Sequence, residues 1–94
     1  MALQDEYNFE DLKNEAERLV IDELERQLEV APDSVCRTEE CILDMAAFAL
    51  NMVRPMYRVT LLGRLYASNV EEGYVDEVRR AVQKAIQKVN SNPA

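Results

Sequence analysis

Histidine and tryptophan are absent from this chain, glycine and cysteine occur twice each, and proline three times. Without histidine, no unperturbed side chain titrates near neutrality, and no nucleophile–histidine pair can be assembled. No glycine-rich loop is present to cradle a nucleotide phosphate. Two cysteines without histidine do not suggest a secreted disulfide framework, and they supply only half of the roughly four ligands that zinc takes. No run reaches the roughly 18 apolar residues that cross a bilayer. The start, MALQDEYNFE, is acidic where a secretory signal is basic and then apolar. These absences lead us to expect a cytoplasmic chain with no membrane span and no enzymatic activity. What is there, 94 residues of which 48% are hydrophobic, suits one small folded helical domain near the lower size limit for a single core.

Acidic residues are missing from one place in particular. The net charge is −7, yet no carboxylate lies between Asp44 and Glu71, a stretch that holds Arg54, Arg58 and Arg64. Residues 1–44 carry 14 acids and 4 bases, residues 45–94 carry 4 acids and 7 bases. The overall acidity argues against nucleic acid as a partner, because a polyanion is repelled by the first half. A local basic pocket for a small anion is compatible with it.

Asn8 is a candidate N-cap for a first helix running to about Leu28. Its apolar stripe would be Phe9, Leu12, Ala16, Leu19, Val20, Leu24 and Leu28, with Glu15, Glu17, Asp22, Glu25 and Arg26 on the wet face. Pro32, Asp33 and Ser34 mark a loop. Thr38 followed by Glu39 and Glu40 reads as the cap and first turn of a second helix reaching about Val53. Only Asp44 and Asn51 are polar among Ile42–Val53. A helix apolar all round is expected to be buried all round, and a chain this short covers it best by forming a homodimer. Pro55 ends that helix. Met56–Leu62 reads as extended or irregular, with Val59–Leu62 a possible short strand lacking any evident partner. Ser68 or Asn69 starts a last helix with the stripe Val75, Val78, Val82, Ala85, Ile86 and Val89. The fold class expected is all-α, three main helices in one domain, with residues 1–7 and 91–94 as tails.

Three constellations carry candidate chemistry. Asp44, the acid set in the apolar helix, reads as a hydrogen-bonding anchor that satisfies the helix start or holds an arginine, rather than as a proton-transfer group. Cys36 and Cys41 are either a loop thiol and a small core residue or part of a metal site completed by a second chain or by Glu39 and Glu40. In RPMYR, the guanidinium forks of Arg54 and Arg58 match phosphate oxygens and the Hoogsteen edge of guanine, and Tyr57 offers a stacking surface. Arg64 follows Gly63, and Asn51 shares a helix face with Asp44. Helix-end capping and ordinary loop decoration account for the same arginines equally well.

The segment CILDMAAFALNMVRPMY, with Cys41, Asp44, Ala49-Leu50-Asn51, Pro55 and Tyr57 in order, resembles the signature of the late competence protein ComFB family. The closing AVQKAIQKVNSNP is similar to that family's last helix, so the likeness spans roughly Leu12–Pro93. The resemblance implies a small all-α homodimer. Some relatives bind zinc through a cysteine cluster, but here Thr38 stands where its Cys-x-Cys form would place another thiol. Other relatives are receptors for cyclic di-GMP that act on competence, motility or cell size through partners. For this chain the likeness implies a non-enzymatic cyclic di-GMP receptor with an unknown downstream protein partner. On chemical grounds, Arg54 and Arg58 would meet phosphate or guanine, Tyr57 would stack, Arg64 would close the site and Asn51 would orient a base edge. The rival expectation is an adaptor whose acidic first helix docks a basic protein. A zinc-dependent DNA-uptake factor fits the charge least.

Overall fold

The structure, a computed structural model, describes residues 2–59 and 72–91. Arg64, the expected helix start at Ser68 or Asn69, and residues 60–62 lie outside the described residues. In chain order the elements are α1 (Leu3–Glu6), a 3-10 turn (Phe9–Asp11), β1 (Lys13–Asn14), α2 (Glu15–Val30), α3 (Glu39–Leu50), β2 (Tyr57–Arg58) and α4 (Glu72–Ser91). The described part is mostly helical, with one short two-stranded ladder. None of its helices is long and apolar enough to cross a membrane.

The first long helix begins at Glu15, not after Asn8. Asn8 does cap, but only the 3-10 turn, its side chain accepting from the Glu10 N–H (3.1 Å). Asn14 is the true N-cap because it has a distant partner that Asn8 lacks. Its Oδ1 accepts both from the Ala16 N–H (3.1 Å) and from the Met56 N–H (2.8 Å). The Glu15 N–H then donates to the Met56 carbonyl (2.7 Å). Phe9 and Leu12, expected on the buried stripe, are consequently 48% and 44% exposed. Ala16, Val20 and Leu24, one helical turn apart, form the buried edge of α2.

Helix α2 ends at Val30, and Arg37 closes it. The Arg37 guanidinium donates to the carbonyls of Leu28 (2.8 Å), Val35 (3.0 Å), Pro32 (3.1 Å) and Ala31 (3.3 Å). Unsatisfied carbonyls at a helix C-terminus favour such a cation. Thr38 caps α3 as its sequence context predicts, with Oγ1 accepting from the Cys41 N–H (3.2 Å). The helix stops at Leu50, and a turn through Asn51–Val53 replaces its expected last residues.

Cys41, Met45 and Ala49 point from α3 into the core, where they meet Tyr74, Val78, Ala81, Val82, Ala85 and Val89 of α4. α3 packs most extensively on α4, and α2 lies against both. Burying each of the larger side chains, such as Met45 or Val20, contributes about 1.5–3 kcal/mol. Tyr74 takes the core place expected for Val75, which is exposed.

Among the described residues of one chain α3 is covered on one side only: Leu43 is 60% exposed and Asp44 and Ala47 lie beside it in solvent, since two helices cover only one side of a third. One further expectation is corrected here. The extended segment after α3 does have a partner strand. β1 and β2 pair antiparallel in the register Lys13 to Arg58 and Asn14 to Tyr57.

Candidate functional site

The exit from α3 is pinned before it reaches the basic segment. Val53 is buried, and the next residue, Arg54, clasps α4 at three points. Its main-chain N–H donates to Glu77 Oε2 (2.8 Å), its Nε to Glu77 Oε1 (3.0 Å), and its carbonyl accepts from the Tyr74 hydroxyl (2.7 Å). The guanidinium also lies 5.4 Å from the centroid of the Tyr74 ring, within cation–π range. The main-chain N–H of Arg54 is the chief cause holding the Glu77 carboxyl below its ordinary value. Burial opposes this, while the Arg54 guanidinium and the charge of Arg80 reinforce it. Burial, with Glu77 alongside, raises the Tyr74 hydroxyl, and Arg54 works against that rise. Arg54 is therefore engaged structurally, a role that the RPMYR spacing does not reveal.

Beyond Pro55 the chain enters β2. Alternation along a strand sends Tyr57 and Arg58 to opposite sides: Tyr57 is 54% exposed and Arg58 half-buried. The Arg58 guanidinium donates to the Tyr57 carbonyl (2.8 Å). Directly across the ladder stands Lys13, a cation that the sequence reading passed over because it lies far from the arginines in the chain. Cross-strand partners hold their Cβ atoms about 5 Å apart on one face, and like charges in that position repel. Neither Lys13 nor Arg58 forms an ion pair among the described residues. Of the acids two residues from Lys13, Asp11 and Glu15, the latter is bonded to Arg18 (3.3 Å).

Asn51 is the C-cap of α3, with an exposed side chain. Asp44 is exposed on α3 and makes no hydrogen bond or ion pair among the described residues, so it neither holds an arginine nor satisfies the helix start there. That start belongs to Thr38. Two apolar concavities lie on other faces. One of about 210 Å³ is lined by Leu19, Tyr74, Val75 and Val78 and rimmed by Asp22 and Glu23. The other, about 550 Å³, is lined by Ile21, Leu24, Leu28 and Ile42 with Glu25 and Glu29 beside it. Each also includes an arginine, but Arg26 is paired with Glu23 and Arg37 is engaged by main-chain carbonyls.

Cys36 and Cys41 are joined in a disulfide, with Cα atoms 6.1 Å apart. The sequence alone offers a loop thiol at Cys36 and a small core residue at Cys41, or a shared metal site; the bridge replaces both. The turn that precedes the Thr38 cap folds Cys36 back over the first turn of α3, which places the two sulfurs together. Sulfurs bonded to each other are not thiolate ligands, and no group of three or more potential metal ligands converges among the described residues. This donor set does not fit zinc.

The sequence model of one protein family, described as late competence development protein ComFB, matches residues 13–93. No curated protein matches the chain.

Proposed function

Because the chain belongs to the ComFB family, whose description points to a competence-related role, we propose that it acts as a non-enzymatic receptor for cyclic di-GMP. The observation that carries this reading is the in-register pair Lys13 and Arg58, two cations facing each other across a ladder, neither in an ion pair among the described residues. An anion seated over them removes their mutual repulsion and gains charge-assisted hydrogen bonds. Cyclic di-GMP has two phosphates and two guanines. Lys13 and Arg58 meet a phosphate and Asn51 orients a base edge, whereas Tyr57, on the opposite side of the ladder, reaches a guanine only around the strand edge. Arg54 adds charge while fixing the segment to α4, and Arg64 follows in the same carboxylate-free stretch.

A homodimer belongs to the same proposal. The uncovered side of α3, with Leu43 and Ala47 exposed, is the surface a second copy would bury, and two copies about a dyad suit a two-fold ligand. Isothermal titration of the purified chain with cyclic di-GMP tests the receptor reading, with cyclic di-AMP and GMP as controls. Selective binding that is lost in Lys13→Ala and Arg58→Ala supports it. A folded sample that gives no heat with millimolar ligand sinks it.

One observation favours the adaptor reading instead. Leu3, Tyr7, Phe9 and Leu12 are all exposed among Asp5, Glu6, Glu10 and Asp11, and that whole segment precedes the family match. An acidic apolar stretch of this kind suits a basic protein surface. An adaptor would tolerate Arg58→Ala and lose its partner with Phe9→Ala.

A further inference from the structure

We infer that the Cys36–Cys41 bridge is a thiol–disulfide exchange site whose reactant is a dithiol, with attack directed at Cys36. The two sulfurs differ in access. Cys41 is 2% exposed and belongs to the core cluster, whereas Cys36 is only partly covered. A nucleophile must reach the sulfur it attacks, so the incoming thiolate bonds to Cys36 Sγ. The S–S bond breaks, and its electron pair leaves on Cys41 Sγ. That sulfur lies in the first turn of α3, where the helix N-terminus stabilises a developing thiolate. Glu39 and Glu40 in the same turn oppose this, but both are exposed and solvated. Because its site is buried, Cys41 then takes a proton and remains as a neutral core thiol. The second thiol of the reactant attacks the mixed disulfide, releases Cys36 and leaves as the reactant's own disulfide. Two electrons and two protons have passed to the chain.

The bridge spans a loop tied to three helix ends. Next to Cys36, Arg37 closes the C-terminus of α2 through the Leu28 and Ala31 carbonyls and holds the loop through those of Pro32 and Val35, and Thr38 caps α3. The Cys36 N–H itself donates to Asn90 Oδ1 on the last turn of α4 (3.0 Å). Reduction therefore loosens the one segment in which these three ends meet, while the core stripe through Met45 and Val82 stays packed. The inference does not depend on the identity of any nucleotide ligand.

The test uses the full chain. Counted in denaturant, air-equilibrated protein should show no free thiol to an aromatic disulfide reagent, and two after treatment with dithiothreitol and its removal. Limiting glutathione, which has one thiol and stalls at the mixed disulfide, should appear on the Cys36 peptide by mass spectrometry. Hydrogen exchange of amides 36–41 should accelerate on reduction by roughly ten- to fifty-fold, the scale set by loss of a short closed loop, with the middle of α4 unchanged. A Cys36→Ser, Cys41→Ser double variant should exchange like the reduced protein. Glutathione on Cys41, two free thiols under oxidising conditions, exchange unaltered by reduction, or one zinc ion bound per reduced chain would each overturn the inference.

Discussion

Replacing Asn14 by alanine would orphan two main-chain N–H groups at once, those of Ala16 and Met56. The expected cost is about 1–3 kcal/mol, read as a lower urea midpoint. Asn14→Asp keeps the acceptor and adds a charge suited to a helix N-terminus, so it should lose less. Glu77 has a pH signature. Its carboxyl is held below its ordinary value in the folded chain, chiefly by the Arg54 main-chain N–H. The stability it contributes is therefore present above its unfolded pKa and is lost as pH falls through the folded one. Urea midpoints of wild type and Glu77→Gln should differ at pH 6 and converge near pH 3. At this scale the sequence was legible where the partner is local. Thr38 and the amide it caps are three residues apart, and both read directly. Asn8 and Asn14 look alike as caps, and only the arrival of Met56 decides between them. The disulfide and the Arg54–Glu77 clasp likewise need the folded chain to bring their atoms together.

At the scale of elements, Arg37 and the β-ladder make separable predictions. Arg37→Ala leaves carbonyls at the end of α2 without their shared donor and should cost about 1–2 kcal/mol. Arg37→Lys should not restore it, because an ammonium cannot fork across four acceptors. In the ladder, Lys13→Glu turns a repulsive cross-strand pair with Arg58 into an attractive one. The substitution should raise stability by a few tenths of a kcal/mol while abolishing nucleotide binding, and denaturation paired with titration would show the opposed signs. A purely structural ladder would show only the first. The helices themselves were legible from apolar spacing, α4 most completely. The strands were not, since two-residue elements carry no periodicity and their register joins distant parts of the chain.

For the whole molecule, the apolar sequence of α3 describes more burial than one chain supplies. Leu43 stands 60% exposed on it, and sedimentation equilibrium should find a dimer that Leu43→Glu converts to monomer with its helical circular dichroism retained. The apolar pattern of α3 was legible, but which side the chain itself covers was not, because a hydrophobic stripe is the same whether its neighbour is intramolecular or a second copy. A mechanical property follows from how α2 is fastened. Its first residue is preceded directly by the ladder, and its last turn is gripped by the Arg37 guanidinium. Sixteen helical residues make a strut about 24 Å long, stiff along its axis, with an anchorage at each end. A load placed on the ladder is borne at the far bracket rather than dissipated between them, so the ladder and the loop between α2 and α3 move in register or not at all.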